Sequence, residues 1–271
     1  MQPFLSQNRW QPCEAFFASL SQARTQAATP VLALDYDGTL APFHIDRSQA
    51  LPYPGVQRCL SRIQAETPTH LVLISGRSSG EVRSLLALEP APEVWGAYGM
   101  QRLHPDGRQD TIEPSQREQE LLQQALAELS RLGLSHLAEG KHGSVAVHWR
   151  GLSPEESCAI EASVRAAWQP MATRLGAPLL EFDGGLELHV PQQNKGEAIR
   201  TILGELPPQT PIAYLGDDLT DEDAFLALLG HSPSLTVLVR PEWRITNAQA
   251  WIRPPEELLG FLDAWLHCLQ S

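Results

Sequence analysis

Short apolar runs, each followed at once by polar residues, recur along this sequence. Val31–Leu34 precedes the acidic run DYDGT at 35–39. The run at 71–74 precedes Ser75, and the run at 211–215 precedes a group of acidic residues. Apolar runs of this length that alternate with helices are typical of buried parallel strands. Because ligands bind beyond the carboxyl ends of such strands, the pattern predicts a doubly wound α/β sheet with a site at that edge.

Amphipathic periodicity predicts the other elements of this Rossmann-like core. Helices are expected at 13–28, 54–66, 78–88, 195–205, 221–229 and 255–269, and further strands at 94–98 and 235–239. Helices and strands thus alternate on both sides of the middle of the chain, as a parallel sheet requires.

The middle of the chain has a different order of elements. The pattern predicts a turn at 105–107 between two strands, helices at 115–132 and 154–168, a strand at 144–149 and a hairpin of 179–182 with 186–190. This order indicates a separate α+β unit. We therefore predict a core domain of residues 1–103 and 191–271, interrupted by an inserted α+β domain at 104–190.

Composition excludes several classes of partner. The net charge of −12 disfavours nucleic acid and anionic membrane surfaces, which select basic proteins. The sequence has no apolar run near the ~20 residues of a membrane span, and we recognise no signal peptide. Its four cysteines are far apart and suit reduced thiols. We expect a cytoplasmic protein, a monomer, that acts on a small molecule.

The acidic run at 35–39 carries the main chemical signal. Side-chain alternation places Asp35 and Asp37 on the same side of the backbone. Two carboxylates this close repel unless a cation or a shared proton lies between them, and Mg²⁺ prefers such oxygen ligands. One carboxylate can attack phosphorus while the other transfers a proton. An ordinary turn or a calcium-binding loop has the same local pattern, so this motif alone leaves three interpretations open.

Three further side chains suit a phosphate group. The Ser75 hydroxyl, at a strand end, can donate to a phosphoryl oxygen, while Arg77 suits either a phosphate or the start of a helix. Lys195 is one of only two lysines and begins a predicted helix, where its charge opposes the helix dipole. A nearby phosphate would explain this placement; a solvated surface lysine is the alternative.

A second acidic cluster, GDDLTDED at 216–223, follows another buried strand. Asp217 and Asp218 precede the next helix and are expected to face the same crevice as Asp35, whereas Asp221 can cap that helix. We interpret at least one of Asp217 and Asp218 as a metal ligand. Phosphoryl transfer needs an in-line nucleophile, a metal and positive groups on the equatorial oxygens, and these segments supply each of them.

These four segments, in this order, resemble the motifs of the haloacid dehalogenase-like phosphohydrolase superfamily. The resemblance implies that Asp35 forms an aspartyl-phosphate and that Asp37 acts as general acid and then as base. It also implies that Mg²⁺ is held by the Asp35 carboxylate, the Asp37 backbone carbonyl and Asp217. Asp218 and Asp221 would then act through water or through contacts around the ligands.

The same resemblance assigns the phosphate contacts. Ser75 and Lys195 would bind the phosphate as part of the catalytic set, and Gly76 and Arg77 would contact the substrate beside them. The segment between Ser75 and Lys195 corresponds to the position of an inserted α/β cap in this superfamily.

Longer stretches are similar to the trehalose 6-phosphate phosphatase family. They are LDYDGTLAP at 34–42, ISGR at 74–77, EGKHGSVAVHWR at 139–150 and GDDLTDEDAF at 216–225. The similarity implies that Glu139, Lys141 and Glu187 contact sugar hydroxyls. Tyr98 departs from the pattern, since the family usually has His or Asn there. This departure keeps other glycosyl phosphates open: glucosyl- or mannosyl-3-phosphoglycerate, glucosylglycerol phosphate and sucrose phosphate.

Three rival functions remain to be weighed. A phosphomutase on this scaffold usually has a smaller helical cap, so the α/β insert favours hydrolysis. A non-catalytic sugar-phosphate sensor would usually lack Asp35 or Asp37, and both are present. A receiver domain also phosphorylates an aspartate, but the long insert and the paired aspartates disfavour it. The expected function is therefore hydrolysis of a sugar phosphate, with trehalose 6-phosphate as the main candidate.

Overall fold

The computed structural model describes residues 11–25, 29–182, 184–191 and 193–270. The chain divides into two compact units. The first contains the described residues up to Gln109 and those from Asn194 onward, and the second is Asp110–Gln193. The predicted limits at 103/104 and 190/191 lie a few residues earlier, because the sheet of the first unit continues past residue 103.

The described residues form these elements. The strands are β1 Val31–Leu34, β2 His70–Ile74, β3 Glu93–Gly96, β4 Gln101–Leu103, β5 Gln109–Thr111, β6 Ala138–Gly140, β7 Ser144–His148, β8 Leu179–Phe182, β9 Gly185–His189, β10 Ile212–Gly216, β11 Ser234–Val239 and β12 Ala250–Ile252. The helices are α1 Gln11–Thr25, α2 Val56–Glu66, α3 Ser79–Leu86, α4 Gln116–Arg131, α5 Pro154–Leu175, α6 Lys195–Glu205, α7 Glu222–Ala227 and α8 Glu256–Gln270.

The larger sheet confirms the predicted α/β class. Its strand order is β12-β11-β10-β1-β2-β3-β4-β5. The strands from β12 to β3 pair in parallel, and β4 pairs with β3 in the antiparallel direction. The chain proceeds outward from β1 through β2 and β3, then returns to build β10, β11 and β12 on the other side. The switch point between these two halves therefore lies at β1 and β10.

Side-chain alternation along β1 explains why helices cover both faces of this sheet. Leu32 and Leu34 are fully buried in a cluster that includes apolar side chains of α1, α2 and α8. Val31 and Ala33 are fully buried in a second cluster with side chains of α6 and α7. Since each buried Leu or Val contributes roughly 1.5–3 kcal/mol, the continuous apolar run of β1 stabilises both layers.

The second unit has its own antiparallel sheet, in the order β6-β7-β9-β8, and its own helices. Both helices begin with a capping box, formed by Ser115 with Glu118 in α4 and by Ser153 with Glu156 in α5. Trp168 of α5 is fully buried, and its indole N–H donates to the Ala125 carbonyl of α4 at 3.2 Å. These contacts give the unit a separate core.

Several predicted boundaries differ from the structure. Helix α5 runs through Pro170 to a left-handed Gly176, whereas the prediction ends it at 168 before the proline. Strand β3 ends at Gly96 and not at Tyr98. Strands β6 and β12 were not predicted, because three-residue strands carry little periodicity. Residues 26–28 of the first predicted helix lie outside the described residues. Among the helices of the described ranges, none has the length and apolarity that crossing a membrane requires.

Candidate active site

The ends of three adjacent strands lie at one level of the larger sheet. In the parallel register, Leu34 at the end of β1 pairs with Leu73 of β2 and with Leu215 of β10. Asp35 follows directly, and its backbone N–H donates to the Leu215 carbonyl at 2.9 Å. Asp35 therefore lies beside the segments that follow β2 and β10, at the switch point of the sheet.

The Asp35 carboxylate is buried, at 3% exposure, and accepts hydrogen bonds from two side chains. Lys195 Nζ lies 2.7 Å from Oδ1, and Thr39 Oγ1 lies 3.1 Å from Oδ2. Lys195 also donates to Asp221 Oδ1 at 2.7 Å. Since Lys195 is itself only 3% exposed, it is not the solvated surface lysine of the alternative interpretation. Its charge compensates two buried carboxylates at the start of α6.

Electrostatics favour additional positive charge here. Burial raises the pKa of the Asp35 carboxyl, and the Lys195 ammonium opposes that shift. Burial alone would lower the pKa of Lys195, but the Asp221 and Asp35 carboxylates raise it well above its usual value. Burial also raises the pKa of Asp217, and the neighbouring Asp218 and Asp35 carboxylates raise it further. A divalent cation would stabilise these carboxylates in their ionised form.

Three carboxylates could contribute to a cation site. Oxygens of Asp35, Asp217 and Asp221 lie within 4.8 Å of one another. The Asp217 carboxylate packs directly on Gly38, where a Cβ atom would lie 2.1 Å from Asp217 Oδ2. Gly38 also has φ +79°, a conformation that other residues adopt only with strain. This buried set of oxygen donors fits a hard cation such as Mg²⁺.

Asp221 holds the surrounding groups in place. Its Oδ1 accepts from Lys195 and from the Tyr214 hydroxyl, the latter at 2.5 Å. Its Oδ2 accepts from the backbone N–H groups of Asp217 and Asp218 at 2.9 and 3.0 Å. Because these four donors already surround its two oxygens, Asp221 is better suited to orienting Lys195 and the Asp217 loop than to binding a metal directly.

The loop that follows β10 is also held by hydrogen bonds from Thr220 and Arg244. Asp218 Oδ1 accepts from the Thr220 N–H at 2.8 Å and so caps a short helical turn. Arg244 donates to the Asp218 carbonyl and, at 3.4 Å, to the Asp217 carbonyl, and it forms an ion pair with Glu222. These contacts hold the backbone that carries the Asp217 carboxylate. No sequence pattern indicates this role for Arg244, because it lies in an irregular segment after β11.

Ser75 and Gly76 form a compact loop after β2. Ser75 is buried, and its Oγ accepts from the Arg77 N–H at 3.2 Å. Gly76 has no space for a side chain, because a Cβ atom there would lie 2.6 Å from Tyr98 Cζ. The structure thus places Ser75 and Gly76 in the loop that follows β2, beside the end of β1.

Arg77 pairs with side chains and a carbonyl of the protein. Its Nε and Nη2 donate to the two Asp37 oxygens at 2.6 and 2.7 Å, and its Nη1 donates to Glu81 at 2.6 Å and to the Arg47 carbonyl at 2.9 Å. Four donor contacts occupy the guanidinium, which is buried. The geometry therefore makes Arg77 an anchor for the Asp37 carboxylate, while its contact with substrate stays a prediction.

The second unit carries a polar cluster on its own sheet. Glu139 of β6 and Glu187 of β9 both pair with Ala146 of the central strand β7, so their side chains share one face. Lys141 Nζ lies 2.9 Å from a Glu187 oxygen and 4.0 Å from a Glu139 oxygen. His148, which sequence analysis did not assign to the site, lies 2.7 Å from Glu139. Glu187 is buried, and its pKa is lowered by Lys141 and Ser144 against the effect of burial.

A family model described as trehalose-phosphatase matches residues 33–242. The chain belongs to the trehalose-phosphatase family. A trehalose-phosphate phosphatase of Mycobacterium tuberculosis is 32% identical over 250 residues, which are 88% of this chain and 61% of that protein. One of Mycobacterium marinum is 33% identical over 73% of this chain and 51% of its own length. The chain thus spans between half and two thirds of these relatives.

Solved structures of this family and superfamily share the fold. The C-terminal domain of a Candida albicans trehalose-6-phosphate phosphatase superposes with a TM-score of 0.76 at 19% identity, covering 93% of this chain and 96% of that one. A haloacid dehalogenase-like hydrolase of Bacillus subtilis superposes with a TM-score of 0.60 at 16% identity, covering 87% and 99%. The chain therefore has the haloacid dehalogenase-like fold that its motifs predicted.

Proposed function

We propose that this chain is a Mg²⁺-dependent phosphatase that converts trehalose 6-phosphate to trehalose and phosphate through an aspartyl-phosphate on Asp35. The observation that carries the proposal is the buried Asp35 carboxylate, held by Lys195 at 2.7 Å at the switch point of the sheet. Membership of the trehalose-phosphatase family supports the choice of substrate.

The first half-reaction uses two carboxylates. An Asp35 oxygen attacks phosphorus, the bond between phosphorus and the sugar oxygen breaks, and an acyl phosphate forms on Asp35. Asp37 donates a proton to the departing oxygen, because an alkoxide is a poor leaving group. Arg77 holds Asp37 through two hydrogen bonds and so limits the positions that its carboxylate can occupy.

The second half-reaction regenerates the enzyme. A water molecule attacks phosphorus and transfers a proton to Asp37, and the bond between phosphorus and Asp35 breaks to release inorganic phosphate. Ser75 and Lys195 bind the phosphoryl oxygens through both steps. Gly76 allows the phosphoryl group to approach the backbone, since it presents no side chain.

The residues of the site suit Mg²⁺. The Asp35 and Asp217 carboxylates and the Asp37 backbone carbonyl would hold the ion, with Asp218 and Asp221 supporting the loop around it. When bound, Mg²⁺ offsets the negative charge of the phosphoryl group and of the neighbouring carboxylates. Gly38 keeps the space beside Asp217 open.

The polar cluster of the second unit suits a sugar. Glu139, Lys141 and Glu187 offer both acceptors and donors, and a disaccharide presents many hydroxyls with little apolar surface. Lys141 is partly buried between the two carboxylates, which reduces the entropy lost when it binds a ligand. We assign to this cluster the discrimination between trehalose 6-phosphate and other glycosyl phosphates.

Phosphate release from a panel of substrates tests the proposal. Purified protein with MgCl₂ is assayed on trehalose 6-phosphate, sucrose phosphate, glucosylglycerol phosphate and the two glycosyl-3-phosphoglycerates. We expect the highest kcat/KM on trehalose 6-phosphate and a loss of at least about 10⁴-fold in Asp35→Asn. A higher kcat/KM on another compound of the panel would make that compound, and not trehalose 6-phosphate, the preferred substrate. Tight binding without phosphate release in the unmodified protein would indicate a sugar-phosphate sensor.

A further inference from the structure

The backbone of Asp217 and Asp218, in the loop after β10, is hydrogen-bonded through its N–H groups and through its carbonyls. The two N–H groups donate to Asp221 Oδ2 at 2.9 and 3.0 Å. The Asp217 carbonyl accepts from Arg240 Nη1 and from Arg244 Nε, each at 3.4 Å. The Asp218 carbonyl accepts from Arg244 Nη2. The peptide groups on both sides of Asp217 are therefore fixed, one by a carboxylate and the other by two guanidinium groups as well.

Arg240 directly follows β11, so one of these two donors comes from the larger sheet. Its backbone N–H donates to the Ile252 carbonyl at 3.1 Å, and its carbonyl accepts from the Trp251 indole at 2.8 Å. Both contacts are with β12, the neighbouring strand. The Arg240 guanidinium therefore extends to Asp217 from a backbone position that the sheet fixes.

Arg244 comes from an irregular segment, which Glu222 holds at the start of α7. Arg244 Nη1 donates to Glu222 and, at 2.9 Å, to the Ile245 carbonyl. Glu222 also accepts from the Thr246 hydroxyl at 2.7 Å and from the backbone and side-chain N–H groups of Asn247 at 2.8 and 2.9 Å. Burial would raise the pKa of Glu222, but the hydrogen bonds from Asn247, Thr246 and Arg244 lower it. Glu222 therefore stays ionised near neutral pH and compensates the charge of Arg244.

Burial along this segment reverses the usual order. The Arg244 side chain is 15% exposed, whereas its neighbours Trp243 and Ile245 are 47% and 85% exposed. Arginine is mostly exposed in folded proteins, and large apolar side chains are more often buried. Departures from such local rules are expected where a residue has a specific task. The contacts of Arg244 show which task this is, because they end on the loop that carries Asp217.

A guanidinium suits the task of holding two successive peptide groups. Its five N–H donors lie in one plane and point in fixed directions. In Arg244, Nε and Nη2 donate to the carbonyls of adjacent residues while Nη1 donates to Glu222. A lysine ammonium is a compact charge on a flexible stem, so it cannot reproduce these three directions together.

We propose that Arg244 is a positioning residue that sets the affinity of the site for Mg²⁺ through the backbone of Asp217 and Asp218. The proposal rests on the proposed function, in which Asp217 is a ligand of the ion. A ligand whose backbone is already fixed loses less conformational freedom when it binds, so the affinity is higher. Gly38 packs against the Asp217 carboxylate itself, and Arg244 holds the two peptide groups that follow Asp217.

Two variants and a control separate geometry from charge. Arg244→Lys keeps the positive charge but loses the planar fork, and Arg244→Gln removes the charge as well. Arg102→Lys is the matched control, because Arg102 is 16% exposed and pairs with Glu93 and Glu205, neither of which belongs to the proposed site. The readout is the dissociation constant of Mg²⁺, measured by calorimetry without substrate. The free energy of unfolding in EDTA is measured for each variant beside it.

We expect Arg244→Lys to raise this dissociation constant about 10- to 100-fold, as the loss of a partner around a metal ligand does. Arg244→Gln should raise it as well, although removing a positive charge near the site would by itself strengthen the binding of a cation. Arg102→Lys should lower the free energy of unfolding but change the Mg²⁺ constant less than about twofold. A merely structural role of Arg244 would give this last result in all three variants.

Several results would overturn the proposal: an unchanged constant in Arg244→Lys, tighter binding in Arg244→Gln, or an equal rise in Arg102→Lys. Should the Arg244 variants not fold, Thr246→Val changes no charge, removes the hydroxyl that donates to Glu222 and should raise the constant about threefold. An unchanged constant there would count equally against it. A wild-type protein that binds no Mg²⁺ would overturn both this proposal and the metal of the proposed function. Since no substrate is present, a wrong choice of substrate would show only in the panel assay.

Discussion

Arg77 binds Asp37 through two parallel hydrogen bonds of 2.6 and 2.7 Å. Asp37 lies two residues after Asp35, the proposed nucleophile, and Arg77 lies in the loop that follows the neighbouring strand β2. The pair therefore joins these two segments. A bidentate guanidinium–carboxylate pair fixes orientation as well as distance, and a lysine cannot reproduce it. Within the proposed mechanism, Arg77 positions the proton donor.

Arg77→Lys should therefore impair protonation of the leaving group. We expect kcat/KM to fall about 10²-fold or more for esters with poor leaving groups, the usual contribution of general acid catalysis. The loss should shrink as the leaving group becomes more acidic, because an acidic phenol departs without a proton. The measurement is kcat/KM for a series of aryl phosphates of equal size. A plot of log kcat/KM against the pKa of the leaving group should be steeper for Arg77→Lys than for the wild type. Equal losses across the series would instead mark Arg77 as a purely structural residue.

Gly38→Ala should disable the proposed cation site. The added Cβ atom would lie 2.1 Å from Asp217 Oδ2, so the carboxylate would have to move. Gly107→Ala is the matched control, because Gly107 also has positive φ but has nothing within 4 Å of the added atom. In both variants, backbone strain should lower the free energy of unfolding by about 1 kcal/mol. Only Gly38→Ala should require a much higher MgCl₂ concentration for half-maximal activity; a parallel response of both variants would contradict the site.

Local sequence patterns predicted that Asp35, Ser75 and Asp217 lie at the ends of strands of one parallel sheet, because each follows a buried apolar run and parallel register brings such positions to one edge. Lys195 begins a helix, so the strand pattern did not predict its hydrogen bond to Asp35. The α/β class followed from the same alternation. These inferences depend only on periodicity along the chain and on the geometry of a parallel sheet.

Side-chain partners could not be predicted in the same way. Arg77 and Asp37 are 40 positions apart, and nothing in either motif indicates that they pair with each other and not with substrate. The four donors around Asp221 come from β10, the loop after it and α6, so tertiary packing decides them. The left-handed Tyr98 was placed in a strand, because its apolar neighbours favour one and no local signal indicates the turn.

Lys195→Met should destabilise the first unit as well as abolish catalysis. The substitution leaves Asp35 and Asp221 buried without their common cation, and breaking a buried ion pair costs about 3–5 kcal/mol. Arg200→Met on the same helix removes an exposed pair with Glu197 and should cost less than about 1 kcal/mol. Urea unfolding in EDTA measures both values. Comparable free energies of unfolding for the two variants would show that Lys195 does not neutralise buried charge.

Glu93 should make stability depend on pH in the acid range. Burial would raise its pKa, but hydrogen bonds from His70, Arg102 and Trp95 lower it to about 2. A depressed folded-state pKa stabilises the fold above the unfolded value near 4.5, and that contribution disappears as pH falls towards 2. The free energy of unfolding should therefore decrease more steeply between about pH 5 and 2 in the wild type than in Glu93→Gln. Parallel curves would contradict the ion-pair assignment.

Lys141→Ala should reduce activity more on a sugar phosphate than on a phosphate ester that has no sugar. Lys141 lies 2.9 Å from the buried Glu187, so its removal deprives the cluster of a donor and changes the charge that faces the sugar. We expect kcat/KM to fall about 10²-fold for trehalose 6-phosphate, as when a polar site loses a partner, and less than about fivefold for 4-nitrophenyl phosphate. Arg165→Ala, which removes a surface ion pair with Glu161 in the same unit, should leave both values within about twofold. Equal losses on the two substrates in Lys141→Ala would assign the lysine to stability and remove the cluster from sugar recognition.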